Sequence, residues 1–315
     1  MTELLTQRRW PPMRTMKSPS PVRLRGVSVI IPCYNEVDSV ATTVDQVSRA
    51  LCEAHRPHEI ICIDDGSTDG TADALARQAI SALTVITNRR NRGYGFSIKR
   101  AVQQASYDLI AITDADGTYP NDRLAELVEV MDAADMVVGA RTGAKVKIPW
   151  QRRPAKWVLR KLASYLAESE IPDLNSGLRV MKRSLVRRFL PLLPDGFSFT
   201  TTITLALLTH GYEVRYVPID YHKRIGASSI RPVRDTLNFL SLIVRTVLYF
   251  KPLKVFAPVS GLLFVAAVLL AIGSKIVWGQ VADVTSVTLA LGAVQLLAIG
   301  LLADLIDKRS PSYSP

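Results

Sequence analysis

Cysteine is scarce in this 315-residue chain: Cys33, Cys52 and Cys62 are its three. Their spacing matches no zinc pattern and each lies in or near an apolar stretch, so the expectation is reduced, partly buried thiols in a cytosolic setting. Acidic side chains are in deficit, 28 Asp+Glu against 39 Lys+Arg, a formal charge of +11. That balance suits an anionic partner: nucleic acid, an anionic membrane surface or phosphorylated substrates. Nucleic acid fits poorly, because the basic residues gather in the tails and near the apolar C-terminal part, without interleaved stacking aromatics. Residues 1–25 have no long apolar core, which argues against a secretory signal. They hold six Arg or Lys, from Arg8 to Arg25, and four prolines, from Pro11 to Pro21, and predict a basic flexible tail able to rest on acidic headgroups.

Long apolar runs occur only late. Residues 255–273, VFAPVSGLLFVAAVLLAIG, and 284–303, VTSVTLALGAVQLLAIGLLA, carry no charge. Each is about the length that crosses ~30 Å of hydrocarbon as a helix. Together they predict a membrane hairpin; a buried helical hairpin of a soluble protein is the alternative. Arg245, Lys251 and Lys254 precede the first run and Lys308 and Arg309 follow the second, so the positive-inside rule puts the first 250 residues and both termini in the cytoplasm. Before the first run, residues 232–250 place Val233, Leu237, Leu240, Ile243, Val244, Val247 and Leu248 on one helical face, which fits an amphipathic helix in the interface; a plain core helix is the alternative.

Ahead of these, strand and helix patterns alternate. VSVIIP (27–32) reads as a buried strand stopped by proline, and 37–54 as a helix with Val40, Val44, Val47 and Leu51 on one face. EIICID (59–64), LTVITN (83–88), DLIAIT (108–113) and DMVVGAR (135–141) read as four more strands. Helices are expected from near Thr71, through about residue 105, and over 121–134. Residues 142–194 look irregular, basic and helical, and YEVRYVPIDY (212–221) alternates as a strand does. Short links of this kind predict a largely parallel sheet covered on both faces, with ligands beyond the carboxyl ends of its strands. Each unusual loop falls at such an end: PCYNE, DDGSTDG, NRGYG, DADGTYP and GAR.

The chemistry centres on AITDADGTYP (111–120), where an apolar run ends in Asp114 and Asp116. Two carboxylates this close repel unless positive charge lies between them. Mg²⁺ or Mn²⁺ suits hard oxygen ligands and leaves positions for water and phosphate. Gly117 permits a tight turn there and Pro120 stops further pairing. Taken alone, such a pair is more simply a solvated or capping loop. However, Asp64 and Asp65 form a second acidic pair, one to accept from a base or ribose and the other to cap the next helix, and Glu36 adds a third carboxylate. Three acidic groups on one edge of a basic protein predict a cation or hydrogen-bond donors to meet them.

In their order and spacing, VIIPCYNE, ICIDDGSTDGT, NRGYG, ITDADGTYP and VVGAR resemble the nucleotide-diphospho-sugar-binding half of a family 2 glycosyltransferase. DLNSGLRV, HKRIGASSI and the C-terminal hairpin narrow the likeness to dolichyl- and polyprenyl-phosphate sugar synthases, over roughly residues 27–306. The resemblance implies an α/β GT-A fold, Rossmann-like with a mostly parallel sheet, spanning 26–230. A juxtamembrane helix (231–252), two transmembrane helices (253–306) and a cytoplasmic tail (307–315) would follow. By the same likeness Pro32, Tyr34 and Glu36 line the base pocket, and Asp64 with Asp65 holds base or ribose. Asp114 and Asp116, with Ala115 between them, bind the donor diphosphate through the metal. Arg141, Arg224 and Ser228 hold phosphates, with Arg153 or Lys156 assisting; Asp116, Arg141 and Arg224 are the catalytic candidates. Gly226, Ser228 and Ser229 leave room for a phosphate to approach Arg224 closely.

Two departures from the family pattern stand out. Thr118 occupies a place where some relatives carry a stronger polar ligand. GFSFTTTIT (196–204), where many family 2 enzymes offer an acidic general base, has only Thr200, Thr201, Thr202 and Thr204. A hydroxyl acceptor needs its proton removed, whereas a phosphate monoester, with its second pKa near ~6, is already ionised at neutral pH. The missing base therefore fits a polyprenyl-phosphate nucleophile and direct, inverting transfer. DADGTYP and GFSFTTTIT look closer to the bacterial and archaeal branch that often uses UDP-sugars, which favours UDP-glucose or UDP-N-acetylglucosamine over GDP-mannose. A polysaccharide synthase fits less well, since no Gln-X-X-Arg-Trp motif occurs and two spans make a poor export channel. A non-catalytic nucleotide-sugar-binding scaffold is disfavoured by Asp114, Asp116 and Arg224. The resemblance also admits a homo-oligomer, since two-span relatives often associate through their membrane helices.

Overall fold

The computed structural model describes residues 26–143, 161, 163–165, 168–222, 248, 251–280 and 283–309. The basic tail, Arg153, Lys156, Arg224, Ser228 and nearly all of the expected amphipathic helix lie outside them.

Seven strands form one sheet in the order β3-β2-β1-β4-β6-β5-β7. They are β1 (Val27–Cys33), β2 (His58–Asp64), β3 (Leu83–Thr87), β4 (Leu109–Ile112), β5 (Met136–Ala140), β6 (Arg179–Lys182) and β7 (Val214–Pro218). The five strands expected before residue 142 are all present, and so is the one within 212–221. Between them run α1 (Val40–Glu53), α2 (Thr71–Ala76), α3 (Tyr94–Gln104), α4 (Leu124–Val130), α5 (Arg183–Phe189) and α6 (Phe199–Thr209).

Alternate residues of the central strands feed two separate cores, as period-two geometry requires. Val29, Ile31, Ile60 and Ala111 pack with α1 and α4 on one face. Ile30, Ile61, Ile63, Ile110 and Ile112 pack with α3, α5 and α6 on the other. Each such isoleucine, fully buried, contributes roughly 2 kcal/mol of transfer free energy. Cys33 and Cys62 are buried in this sheet, whereas Cys52 is exposed on α1, against the expectation for that thiol.

Two expectations are corrected. β1 does not stop at Pro32: it runs on to Cys33, with Pro32 in register with Ile63. The ladder from β1 to β4 ends at Ile30, so the missing Pro32 amide forfeits nothing on that side. The second correction is β6, inside the segment expected to be irregular and helical. It is antiparallel to both β4 and β5 and separates them. Four residues, RVMK, carrying two cations, are too short and too polar to announce a central strand.

The hairpin is α7 (Leu253–Trp278) and α8 (Asp283–Arg309). Of the most apolar window in each, 11% is buried, so these are not core helices of a soluble protein. Their exposed faces carry Leu262, Phe264, Leu269, Ile272, Leu291, Leu301 and Leu302, a surface suited to hydrocarbon. The seam between them is made of small residues seven apart: Ser260, Ala267 and Ser274 on α7, and Ser286, Ala293 and Gly300 on α8. Seven-residue spacing keeps one stripe facing the partner, and small side chains let the backbones approach. Ser260 Oγ donates to the Ala293 carbonyl at 2.7 Å. A Cβ on Gly300 would lie 2.7 Å from Phe256 Cβ.

Candidate active site at the carboxyl ends of β1, β2 and β4

β1, β2 and β4 are parallel neighbours, so the loops leaving their carboxyl ends share one rim. On it, Asp116 is buried and Asp114 is partly accessible. The loop that carries them is tied down at several points. Thr43 Oγ1 on α1 donates to the Ala115 carbonyl at 3.2 Å, Thr113 Oγ1 donates to Asn121 Oδ1 at 2.7 Å, and Gly117 takes a φ of 70°. Ala115 itself is buried. Asp116 Oδ1 accepts from Thr118 Oγ1 at 2.6 Å and from its N–H at 3.2 Å. Thr118 is thus turned onto Asp116, where it orients the carboxylate.

Asp114 has a different set of neighbours. Tyr94 donates its hydroxyl to Asp114 Oδ1 at 2.9 Å. Gly177, just before β6, gives the carboxylate room: a Cβ there would lie 2.6 and 2.7 Å from its oxygens. The Gly177 N–H donates to the Tyr119 hydroxyl at 2.7 Å. Arg141 follows β5 and grips Asp173 with two parallel bonds, Nε to Oδ2 at 2.7 Å and an Nη to Oδ1 at 2.9 Å, while its own N–H also reaches Oδ2. It therefore stands beside the site as half of an ion pair, which holds its position but commits two of its donors.

Arg179 on β6 is fully buried, opposite Ile112 of β4 and two residues short of Asp114. Its partners are neutral: the Ser176 and Thr200 carbonyls and Thr204 Oγ1. Burial pushes its guanidinium below the usual range.

For Asp114, burial and the charge of Asp116 outweigh the Tyr94 hydrogen bond and the fields of Arg141 and Arg179, and raise the carboxyl from 3.8 to about 6. A carboxyl raised in the folded state holds its proton longer than in the unfolded chain, so its contribution is present below pH ~4 and is lost as pH rises through about 6. In EDTA, wild type should lose melting temperature relative to Asp114→Asn across that window; parallel pH profiles of the two proteins would contradict it. Among the described residues no third Asp, Glu, His or Cys joins the pair into a protein-only metal cage. Two carboxylates that repel, a glycine at 177 that sets no side chain against them and, among the described residues, no filled cage fit a small hard cation that takes its other ligands from water or substrate.

The other acidic groups do not converge on that pair. Asp65 spends both oxygens on the loop after β3, accepting from Asn88 Nδ2 at 2.7 Å and from the Arg92 and Gly93 N–H groups. Asp64 Oδ1 accepts from the Ser67 N–H at 3.0 Å. Neither caps α2, whose N-cap is Gly70; Asp69, one residue earlier, accepts from the Thr71 N–H and hydroxyl. Glu36 Oε2 accepts from Ser39 Oγ at 3.3 Å, and Asn35 links its loop to Ser67 and Thr68. Pro32 is buried and Tyr34 is 45% exposed at the rim. Sequence reasoning overlooked Tyr94, Tyr119, Asp173, Gly177 and Arg179. Each stands in a quoted motif, and an arginine inside the apolar run of DLNSGLRV was the available signal.

Residues 28–190, more than half of the chain, match the family model for glycosyl transferase family 2. The chain belongs to that family. It is a glycosyltransferase of GT-A-like fold, and residues 251–308 match a second model, the GtrB C-terminal hairpin. Relatives include an undecaprenyl-phosphate 4-deoxy-4-formamido-L-arabinose transferase of Serratia proteamaculans, 25% identical over 90% of this chain and 89% of the other. Another is a polyprenol monophosphomannose synthase of Mycolicibacterium smegmatis, 29% identical over 64% of this chain and 80% of the other. Among solved structures, glucosyl-3-phosphoglycerate synthase from Mycobacterium tuberculosis, in complex with Mn²⁺, UDP and glucosyl-3-phosphoglycerate, superposes with a TM-score of 0.55 at 19% identity. It covers 71% of this chain and 79% of that one, a likeness of fold.

Proposed function

We propose that this glycosyltransferase moves one sugar from a nucleotide-diphospho-sugar to a polyprenyl phosphate at the cytoplasmic face of a membrane. One observation carries the reading: the foot of the apolar hairpin is fastened beside the acidic rim. Lys251 Nζ bonds Glu168 at 3.2 Å and Lys254 pairs with the same carboxylate. Five residues on, Asp173 holds Arg141. A site joined in this way to a membrane hairpin meets its acceptor by sharing its location. The two relatives agree on a polyprenyl-type phosphate acceptor and differ in the sugar, so the acceptor class is the better supported part.

Asp114 and Asp116 would hold Mg²⁺ or Mn²⁺; bound there, the ion would neutralise charge developing on the departing diphosphate. Asp64 accepts hydrogen bonds from the base or ribose, which Pro32, Tyr34 and Glu36 border. Asp65 acts at one remove: by holding the Arg92 and Gly93 N–H groups it sets the start of α3, where Tyr94 meets Asp114. Arg141 and Arg224, with Arg153 or Lys156 and Ser228, face the phosphates of donor and acceptor and offset their repulsion. The acceptor's phosphate oxygen attacks the anomeric carbon and the bond to the diphosphate breaks, inverting the centre. No base is required: the threonines of α6 bond within the fold, and Asp195, just before them, is turned to Lys99 Nζ at 2.8 Å. UDP-glucose or UDP-N-acetylglucosamine is the favoured donor, GDP-mannose the alternative. The proposal keeps both termini cytoplasmic and the division into a catalytic domain at 26–230, a juxtamembrane helix and the hairpin.

Release of nucleoside diphosphate tests it. The rate should require polyprenyl phosphate, vanish in EDTA and fall on the order of 10²-fold in Arg224→Ala. Release independent of the lipid phosphate would contradict the acceptor, and an unaltered Arg224→Ala rate would make that arginine a surface charge.

A further inference from the structure

Four arginines, Arg89, Arg90, Arg92 and Arg100, line a cavity of ≈ 450 Å³ together with Thr87, Asn88 and Phe96. Among the described residues no carboxylate pairs with any of the four. Arg89, Arg90 and Arg92 are exposed. The pocket is nonetheless built. Arg92 lies over the Phe96 ring at 4.1 Å, Arg100 donates to the Thr87 carbonyl at 3.1 Å, and Asp65 fixes the loop from beneath. Four guanidinium groups around one cavity, two of them held in place and none with a described counter-charge, select a phosphate-bearing anion.

Position says which anion. The cavity stands at the carboxyl end of β3, one edge of the sheet, and β7 is the other edge. The hairpin joins the β7 side, where Val255 packs against the cluster of Ala163, Ile171, Leu174 and Leu205, as does Tyr216 of β7. Six strand steps of about 4.8 Å put the two some 29 Å apart. The arginines follow the carboxyl end of β3 next to Asn88, and the hairpin foot is tied through Glu168 to the segment whose Asp173 holds Arg141 after β5. A domain tethered at one edge pivots about that edge; a second contact at the other levels the rim, and the site between them, against the bilayer. Two residues past Arg92, Tyr94 stacks on Phe197 at 5.7 Å between ring centres, and Phe197 is 87% exposed. A basic cluster with a protruding aromatic ring suits the headgroup layer of an acidic leaflet.

We propose that the arginine pocket at the β3 edge is a second membrane contact, which takes the phosphate headgroup of an acidic phospholipid. It rests on α7 and α8 spanning a bilayer and is independent of the sugar transferred. The test uses the full chain in nanodiscs, with EDTA and no donor, and reads amide hydrogen exchange over residues 88–96. Adding phosphatidylglycerol to phosphatidylcholine discs should slow exchange about fivefold, the effect of one basic side chain at an acidic surface. Arg89→Gln with Arg90→Gln should erase that difference and leave the KM for the nucleotide-sugar unchanged. Protection by inorganic pyrophosphate in neutral discs, and none from phosphatidylglycerol, would make this a soluble-phosphate site and overturn the membrane contact. A raised donor KM in the variant would overturn it too, by assigning the pocket to the donor. A chain that enters the disc but shows no protection refutes this contact alone, whereas one that fails to enter refutes the membrane reading as well.

Discussion

Asp116→Ala should lower sugar transfer on the order of 10³-fold with the fold intact, the scale at which a group stabilising transition-state charge is lost. Asp116 is buried, but it sits in a loop whose shape is set elsewhere, by Thr43 on the Ala115 carbonyl and by Thr113 on Asn121. Removing the carboxylate frees Thr118, whose N–H and hydroxyl it accepts. That loss is about 1–3 kcal/mol, too little to unfold a domain of this size. Mn²⁺ affinity should fall with turnover, since Asp114 alone is a poor site for a cation. Circular dichroism and a thermal melt check the fold, and electron paramagnetic resonance titration checks the metal. Turnover at the wild-type rate would overturn the assignment of the pair.

Gly177→Ala should cost about 10²-fold in kcat without altering any charge, the scale expected when a reacting group moves by about an ångström. The added methyl would stand 2.6 and 2.7 Å from the Asp114 oxygens, closer than real contacts allow, so the carboxylate must move. Gly177 has no positive φ, so alanine strains no backbone there and the effect isolates the position of Asp114. Its N–H still reaches Tyr119, which keeps β6 seated. An alanine variant with normal kcat would show that the Asp114 position seen here is not the working one.

Much of this was legible in the residues. Strong apolar runs such as VSVIIP and DLIAIT gave strands because buried parallel strands need both faces apolar, and the hairpin declared itself by two uncharged runs of spanning length. The acidic pair at 114 and 116 was equally visible, since short-range repulsion is a property of spacing alone. What sequence missed depends on long-range placement. β6 is four residues with two cations, and only its slot between β4 and β5 makes it a strand. Gly177 and Arg179 act on Asp114 through that slot, 63 and 65 positions away in the chain. Asp65 looked like a ligand-facing acid because its neighbour Asp64 does, yet the fold turns it inward to hold the arginine-rich loop.

The most direct test is the product itself. Purified full-length protein would be given undecaprenyl phosphate, Mg²⁺ or Mn²⁺, and a panel of UDP- and GDP-sugars, and the lipid fraction analysed by mass spectrometry. The account predicts one polyprenyl-phosphate-linked sugar from one donor, absent with EDTA and absent in Asp116→Ala. No glycolipid from any donor, in protein that still binds nucleotide, would contradict it.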